Sequence, residues 1–186
     1  RRELHRSQNP LAYLEIIEEA AQSAGIRPEL LLAIAKQESR FSANIRSSAG
    51  AIGLMQLLPS TAASLSEQPL NEADLMTAAV NIPLGAAYLV NLLEFWKGDP
   101  FRSIASYNAG PTTVANWPQP SMDDAIELWV ERIPYPETRF YLKKVLDNLL
   151  SYADRSPWQC HRDETRMRET VAENNSSEEQ ASQQHH

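Results

Sequence analysis

The stretch LLAIAKQESRF, residues 31–41, decides how this chain is read, because Leu31, Ile34, Ala35 and Glu38 recur at the i, i+3, i+4, i+7 spacing of one helix face. A carboxylate therefore stands on an apolar face where a leucine would be easier to bury. Burial disfavours the charged form of an acid, so Glu38 is expected to keep its proton closer to neutral pH than a solvated glutamate, as a general acid must. On position alone the competing reading is a buried polar residue satisfied by a basic neighbour.

Working outward, Pro28 and Glu29 start this helix, and a Ser/Asn/Gly loop through Ser47, Ser48 and Gly50 follows it. After Gly53 the sequence predicts a short helical run broken at Pro59, which itself opens a further turn through Thr61 and Leu65. Upstream, Asn9 and Pro10 read as the cap and first turn of a helix with Leu11, Leu14, Ile17 and Ala21 on one face, ending at Gly25. Downstream, Asn81 is expected to cap a longer helix with Pro83 near its start, in which Leu84, Ala87, Tyr88 and Leu92 keep helical spacing to about Trp96 before Gly98 stops it. Asp99-Pro100 opens the next helix, with Ile104 and Tyr107 on one face, and Gly110-Pro111 turns the chain. Ser121 with Asp124 resembles a capping box ahead of Ile126, Leu128 and Trp129, and a last helix from Pro136 carries Phe140, Val145, Leu146 and Leu149, with Tyr141 beside them. Strand character is slight, so the fold class is all-α: a compact helical domain with a substrate cleft over residues 10–155. It lies between an N-terminal arm, 1–9, and a tail, 156–186, too polar to offset its own ordering entropy.

With 186 residues, 42% of them hydrophobic, the chain is long enough for one real core. Its formal charge of -7 argues against a nucleic-acid partner, which selects a basic face. The single cysteine, Cys160, cannot close an internal disulfide, and the four histidines show no metal-ligand spacing. No apolar stretch reaches the roughly 20 residues of a bilayer span. The chain begins at Arg1 and shows no targeting segment, which suggests a fragment or a processed form.

Five strings then carry a resemblance: QESRF at 37–41, SSAGAIGLMQLLPSTA at 47–62, NIPLGAAYL at 81–89, SYNAGP at 106–111 and ERIPYPETRFY at 131–141. In this order they resemble the catalytic domain of soluble lytic transglycosylases, of the branch with a goose-type-lysozyme-like fold. The resemblance implies a peptidoglycan glycan strand as partner and no cofactor. It further implies cleavage between N-acetylmuramic acid and N-acetylglucosamine without water, to a 1,6-anhydro product, in the periplasm or cell envelope. One carboxylate suffices in that chemistry, because the substrate's own N-acetyl group takes the place of the second acid that most glycosidases use. Glu38 matches the family's catalytic glutamate.

The same resemblance implies substrate contacts from Ser47, from Gln56 at the end of GLMQ, and from Leu58, where methionine is common in the family. It implies contacts also from Tyr107 and Asn108, and a supporting role for Glu131. Each has a plainer alternative: loop capping for Ser47, a helix surface position for Gln56, a core ring for Tyr107, helix capping for Asn108, a surface ion pair for Glu131. Trp117, Trp129, Tyr88 and Phe95 are expected in the core rather than as sugar platforms. Two other functions stay open. A hydrolysing lysozyme would need a water-positioning carboxylate across the cleft, for which Glu67, Asp74 and Glu131 are available; a glycan-binding module would need no acid at all.

Overall fold

Helix α1, Leu14–Ala24, stops where Gly25 turns left-handed at φ 67° and its amide closes on the carbonyls of Ala21 and Gln22, a conformation that costs glycine least. The computed structural model describes residues 13–120 and 125–153, so the cap expected at Asn9, the Ser121–Asp124 box and the tail from 156 lie outside the described residues. By proximity along the backbone the chain divides into Arg1–Tyr152 and Ala153–His186; the site described below belongs to the first. Helix α2, Pro28–Ser39, begins with proline in its first turn and ends at Arg40, φ 51°. Phe41 follows at φ 63°, so two successive left-handed residues turn the chain sharply just past Glu38. Leu30 through Ala35 are all buried, which makes α2 the helix sunk most deeply into the core.

The segment from Arg46 to Leu57 folds differently from the helical run expected after Gly53. Two isolated antiparallel bridges, Arg46↔Ile52 and Ile52↔Leu57, fold it into a knot of turns. Met55, Leu54, Ile52 and Leu57 are buried there, so packing outweighs the local helical preference of Leu-Met-Gln. Helix α3, Pro59–Leu65, starts at proline as expected. Helix α4, Glu72–Leu75, is a single turn that the periodicity missed, because four residues are too few to show a period; its Asn71/Asp74 capping box was the available signal.

Helix α5, Ala78–Phe95, is capped at Thr77 and holds Pro83 within it. Asn81 is not the cap: it sits one turn inside, fully buried. A buried side-chain amide needs partners, and Asn81 finds them outside its own helix. Helices α6, Pro100–Ala109, α7, Pro111–Ala115, α8, Ile126–Glu131, and α9, Pro136–Ala153, follow. Asp99 caps α6 by accepting the amides of Phe101 and Arg102. Gly110-Pro111 both turns the chain and opens α7, where only a turn was expected.

Helix α5 packs against α1, α3, α4 and α6, and α1 against α2. Its length and mean hydropathy of 1.4 would also suit a bilayer span, yet Asn81, Ile82, Gly85, Ala86, Leu89 and Leu92 are buried within the domain, Asn81 and Gly85 against the Ile52–Met55 turns. On α9 the buried face is Thr138, Tyr141, Leu142 and Val145. Phe140, expected on that face, is 63% exposed, because Tyr141 and not Phe140 shares the Thr138–Leu142–Val145 stripe. Trp117 and Trp129 are buried and Tyr88 partly so, but Phe95 is exposed.

Candidate active site

Glu38 occupies the last turn of α2, where the apolar face formed by Leu31, Ile34 and Ala35 runs out toward solvent. Its side chain is half-buried. From α9, 103 positions away in sequence, the Tyr141 hydroxyl donates to Glu38 Oε1 at 2.5 Å. Burial pushes the carboxyl up from 4.5 to about 7, while the bond from Tyr141 pulls it down. Such a group is close to half protonated at neutral pH and can both give and accept a proton there.

A second phenol stands near it, backed by a third. Tyr107, on α6, donates its hydroxyl to the Met55 carbonyl at 3.0 Å and packs against the Tyr88 ring at 5.1 Å between centroids. Burial first, and the Glu38 charge second, hold the hydroxyls of Tyr107 and Tyr141 well above the ordinary phenol value. Both stay neutral donors. Tyr107 therefore stands within electrostatic reach of the carboxyl, although its hydrogen bond runs to the loop.

The loop is pinned from beneath by Asn81. Its Oδ1 accepts the Met55 amide at 2.6 Å, and its Nδ2 donates to the carbonyls of Ile52 at 3.0 Å and Leu75 at 2.9 Å. Gly53, φ 82°, allows this contact: a Cβ there would collide with the Leu75 carbonyl and sit 2.5 Å from Asn81 Nδ2. A connected series of bonds thus runs from α5 through Met55 to Tyr107 beside Glu38. Sequence reasoning missed Asn81 and Tyr141 as parts of the site. Both stand in the quoted strings NIPLGAAYL and ERIPYPETRFY, so the signal was present without a geometry to interpret it.

Gln56 is half-buried in the left-handed region at φ 46°, a conformation non-glycine residues seldom hold without tertiary support. Its Nε2 donates to the Gly53 carbonyl at 2.8 Å and the Ile45 carbonyl at 3.4 Å, which leaves Oε1 as an acceptor. Ser47 Oγ accepts the Ala51 amide at 3.0 Å, the loop-capping role, with its own proton still available to donate. Leu58 is 42% exposed at the head of α3.

Among the described residues, the side-chain bonds of Asn108 and Glu131 go to partners other than Glu38. Thr138 donates to Asn108 Oδ1 at 2.7 Å, tying the end of α6 to α9. Lys143 pairs with Glu131 at 2.5 Å, and that bond holds the Glu131 carboxyl below its usual range. Asp74 accepts the Asn71 amide in the α4 capping box. Among the described residues no group of three or more His, Cys, Asp or Glu side chains is placed to hold a metal ion.

The class defined so far is an all-α domain presenting one half-buried, proton-holding carboxyl among neutral phenols. Residues 15–130 match the transglycosylase SLT domain family, and the chain belongs to it. It is similar to the soluble lytic murein transglycosylase of Escherichia coli K12, at 35% identity over 144 residues, covering 74% of this chain and 22% of that protein. Among solved structures it superposes on an inactive glutamate-to-glutamine mutant of the lytic transglycosylase Slt from Pseudomonas aeruginosa with a TM-score of 0.74. The identity is 37%, over 78% of this chain and 24% of that one. The 70 kDa soluble lytic transglycosylase from Escherichia coli gives 0.72 at 30% identity, over 80% of this chain and 25% of that one. The lysozyme-like helical fold expected from the sequence is thus the fold of the chain. This chain spans about a quarter of the length of these relatives.

Proposed function

We propose that residues 10–155 form a peptidoglycan lytic transglycosylase domain acting in the periplasm or cell envelope. In this reading it cleaves the bond between N-acetylmuramic acid and N-acetylglucosamine, with Glu38 as its single catalytic carboxyl. The observation that carries the reading is the state of Glu38, half-buried, raised to about 7 and held by Tyr141. Protonated Glu38 gives its proton to the leaving glycosidic oxygen. The substrate's N-acetyl oxygen closes on C1 as the bond breaks. Glu38, now ionised, takes the proton of the muramoyl 6-hydroxyl while that oxygen displaces the N-acetyl oxygen, so the carboxyl ends as it began and water is not consumed. Each proton transfer of this kind is worth roughly 10² to 10⁴ in rate.

Around the reacting sugar, Gln56 Oε1 is suited to accept an amide N–H or hydroxyl, Ser47 to donate its hydroxyl proton, and exposed Leu58 to meet an apolar sugar face. Tyr107 holds its place through Met55, and Asn108 accepts Thr138 at the α6–α9 junction while its amide N–H groups and second oxygen lone pair can still meet substrate. Glu131 stays ionised beside Lys143 and fits a supporting charge better than a proton donor. Asp74, with its carboxylate engaged in a helix cap, is a poor water-positioning base. Mass analysis of fragments released from purified sacculi tests the proposal: anhydro products are lighter by one water than hydrolysed ones. Hydrolysed products would replace this reading with a lysozyme, and binding without release would replace it with a glycan-binding module.

A further inference from the structure

Away from Glu38, the corner between α5 and α6 forms an open pocket of about 800 Å³. Phe95, Trp96 and Phe101 give it aromatic walls, and Lys97, Asp99 and Arg102 give it charge. Phe95 is 56% exposed and stands edge-on to Trp96 with ring centroids 4.9 Å apart, so an aromatic ring is left in water where the core could have taken it.

Arg102 is fixed from two sides. Its Nε donates to Asp99 Oδ2 at 2.8 Å, and its guanidinium lies 5.0 Å from the Trp96 ring centroid. Trp96 is itself anchored by its indole N–H on Ser106 Oγ at 2.7 Å. Asp99 is held in place as well, since its Oδ1 takes the Phe101 and Arg102 amides and its Oδ2 the Arg102 Nε–H. The two terminal nitrogens of Arg102 therefore keep a rigid pair of donors toward the pocket, the geometry that reads a carboxylate in a bidentate way. Among the residues that line the pocket, exposed Lys97 adds a second cation, and Asp99 is the one anion.

We infer that this corner is a second binding site, for a carboxylate on the peptide stem of peptidoglycan, with the alanyl methyl groups of the stem against Phe95 and Phe101. The inference rests on the proposed substrate. A neutral saccharide would use the rings and leave the terminal nitrogens of Arg102 and the Lys97 ammonium without an acceptor, so charge complementarity favours the stem over the glycan.

The test uses the full chain carrying Glu38→Gln, followed by amide NMR. The ligands are N-acetylmuramoyl-L-alanyl-D-glutamate with both carboxylates free, and its diamide. The acid is expected to shift amides 95–102, and the diamide to bind there roughly ten- to a hundredfold more weakly, the scale of a charge-assisted hydrogen bond. Arg102→Met should weaken the acid by a similar factor, and raised salt should do so in part. Lys97→Met, on an exposed turn, should give a smaller loss in the same direction, so a folding defect at Arg102 leaves the question decidable. Absence of shifts at 95–102, equal binding of acid and diamide, or indifference to both substitutions overturns the inference. The wild-type chain assayed on sacculi separates the two readings: anhydro products without stem binding sink the second site alone, and stem binding without products sinks the catalytic proposal alone.

Discussion

Replacing Glu38 by glutamine removes the titration while keeping the shape and the acceptor for Tyr141, so activity and stability should move in opposite directions. In the unfolded chain the carboxyl ionises near 4.5, and in the folded chain near 7, a difference of 2.5 units. Below 4.5 both states hold the proton and the group has no net effect on the pH dependence. As pH rises toward 7 the unfolded state releases its proton while the folded state keeps it, so stability falls with pH across that window and levels off above it. At ~1.4 kcal/mol per unit the full difference is about 3.5 kcal/mol, and the exposed side of the carboxyl lowers this to ~2–3 kcal/mol. The assay is urea unfolding of both chains at about pH 4.5 and about pH 8. The wild type should lose ~2–3 kcal/mol more than the variant between the two, leaving Glu38→Gln the more stable protein at the higher pH. Its release of fragments from sacculi should fall by at least ~10². A variant that is less stable at the higher pH, or that keeps the wild-type pH slope, would refute the claim that the carboxyl is strained by burial. Retained turnover would refute its role as the acid.

Three further outcomes are expected. Tyr141→Phe removes the bond that favours ionised Glu38, so the carboxyl should rise above 7, by ~1–2 units for a bond to a charged group, and the basic limb of the kcat/KM profile should move up with it; an unmoved limb assigns Tyr141 to packing alone. Asn81→Ala leaves the Met55 amide and the Ile52 and Leu75 carbonyls without their buried partner, and should cost ~3–5 kcal/mol in chemical denaturation; a loss under ~1 kcal/mol would mean that Asn81 does not hold the loop. Glu131→Gln breaks an exposed ion pair and should leave the thermal midpoint unchanged while lowering turnover; a midpoint that falls together with turnover would make the residue structural.

The helices that could be read from sequence share local punctuation. Gly25 ends α1 where the apolar period stops, and Pro28, Pro59, Pro100 and Pro136 start their helices as a residue without an amide proton allows. Where prediction failed, a distant partner had changed the local preference. Asn81 resembles a cap in isolation but is drawn inward by three backbone groups from two other segments. The GLMQ run resembles a helix, but burial of Leu54 and Met55 folds it into turns. Phe140 and Tyr141 are neighbours that periodicity could not rank, and packing put the tyrosine inside. In the candidate site, Glu38 could be picked out because an acid breaks the pattern of its own helix, whereas nothing local marks Tyr141 as its partner.

By itself the sequence determined an all-α chain and an acid placed on an apolar face, because helical period, caps and breakers act over four or five residues. Only the tertiary structure decided what that acid became. A carboxyl's proton affinity depends on how much water reaches it and on which donors stand within hydrogen-bond distance, and both are set by chain segments more than a hundred residues apart in sequence.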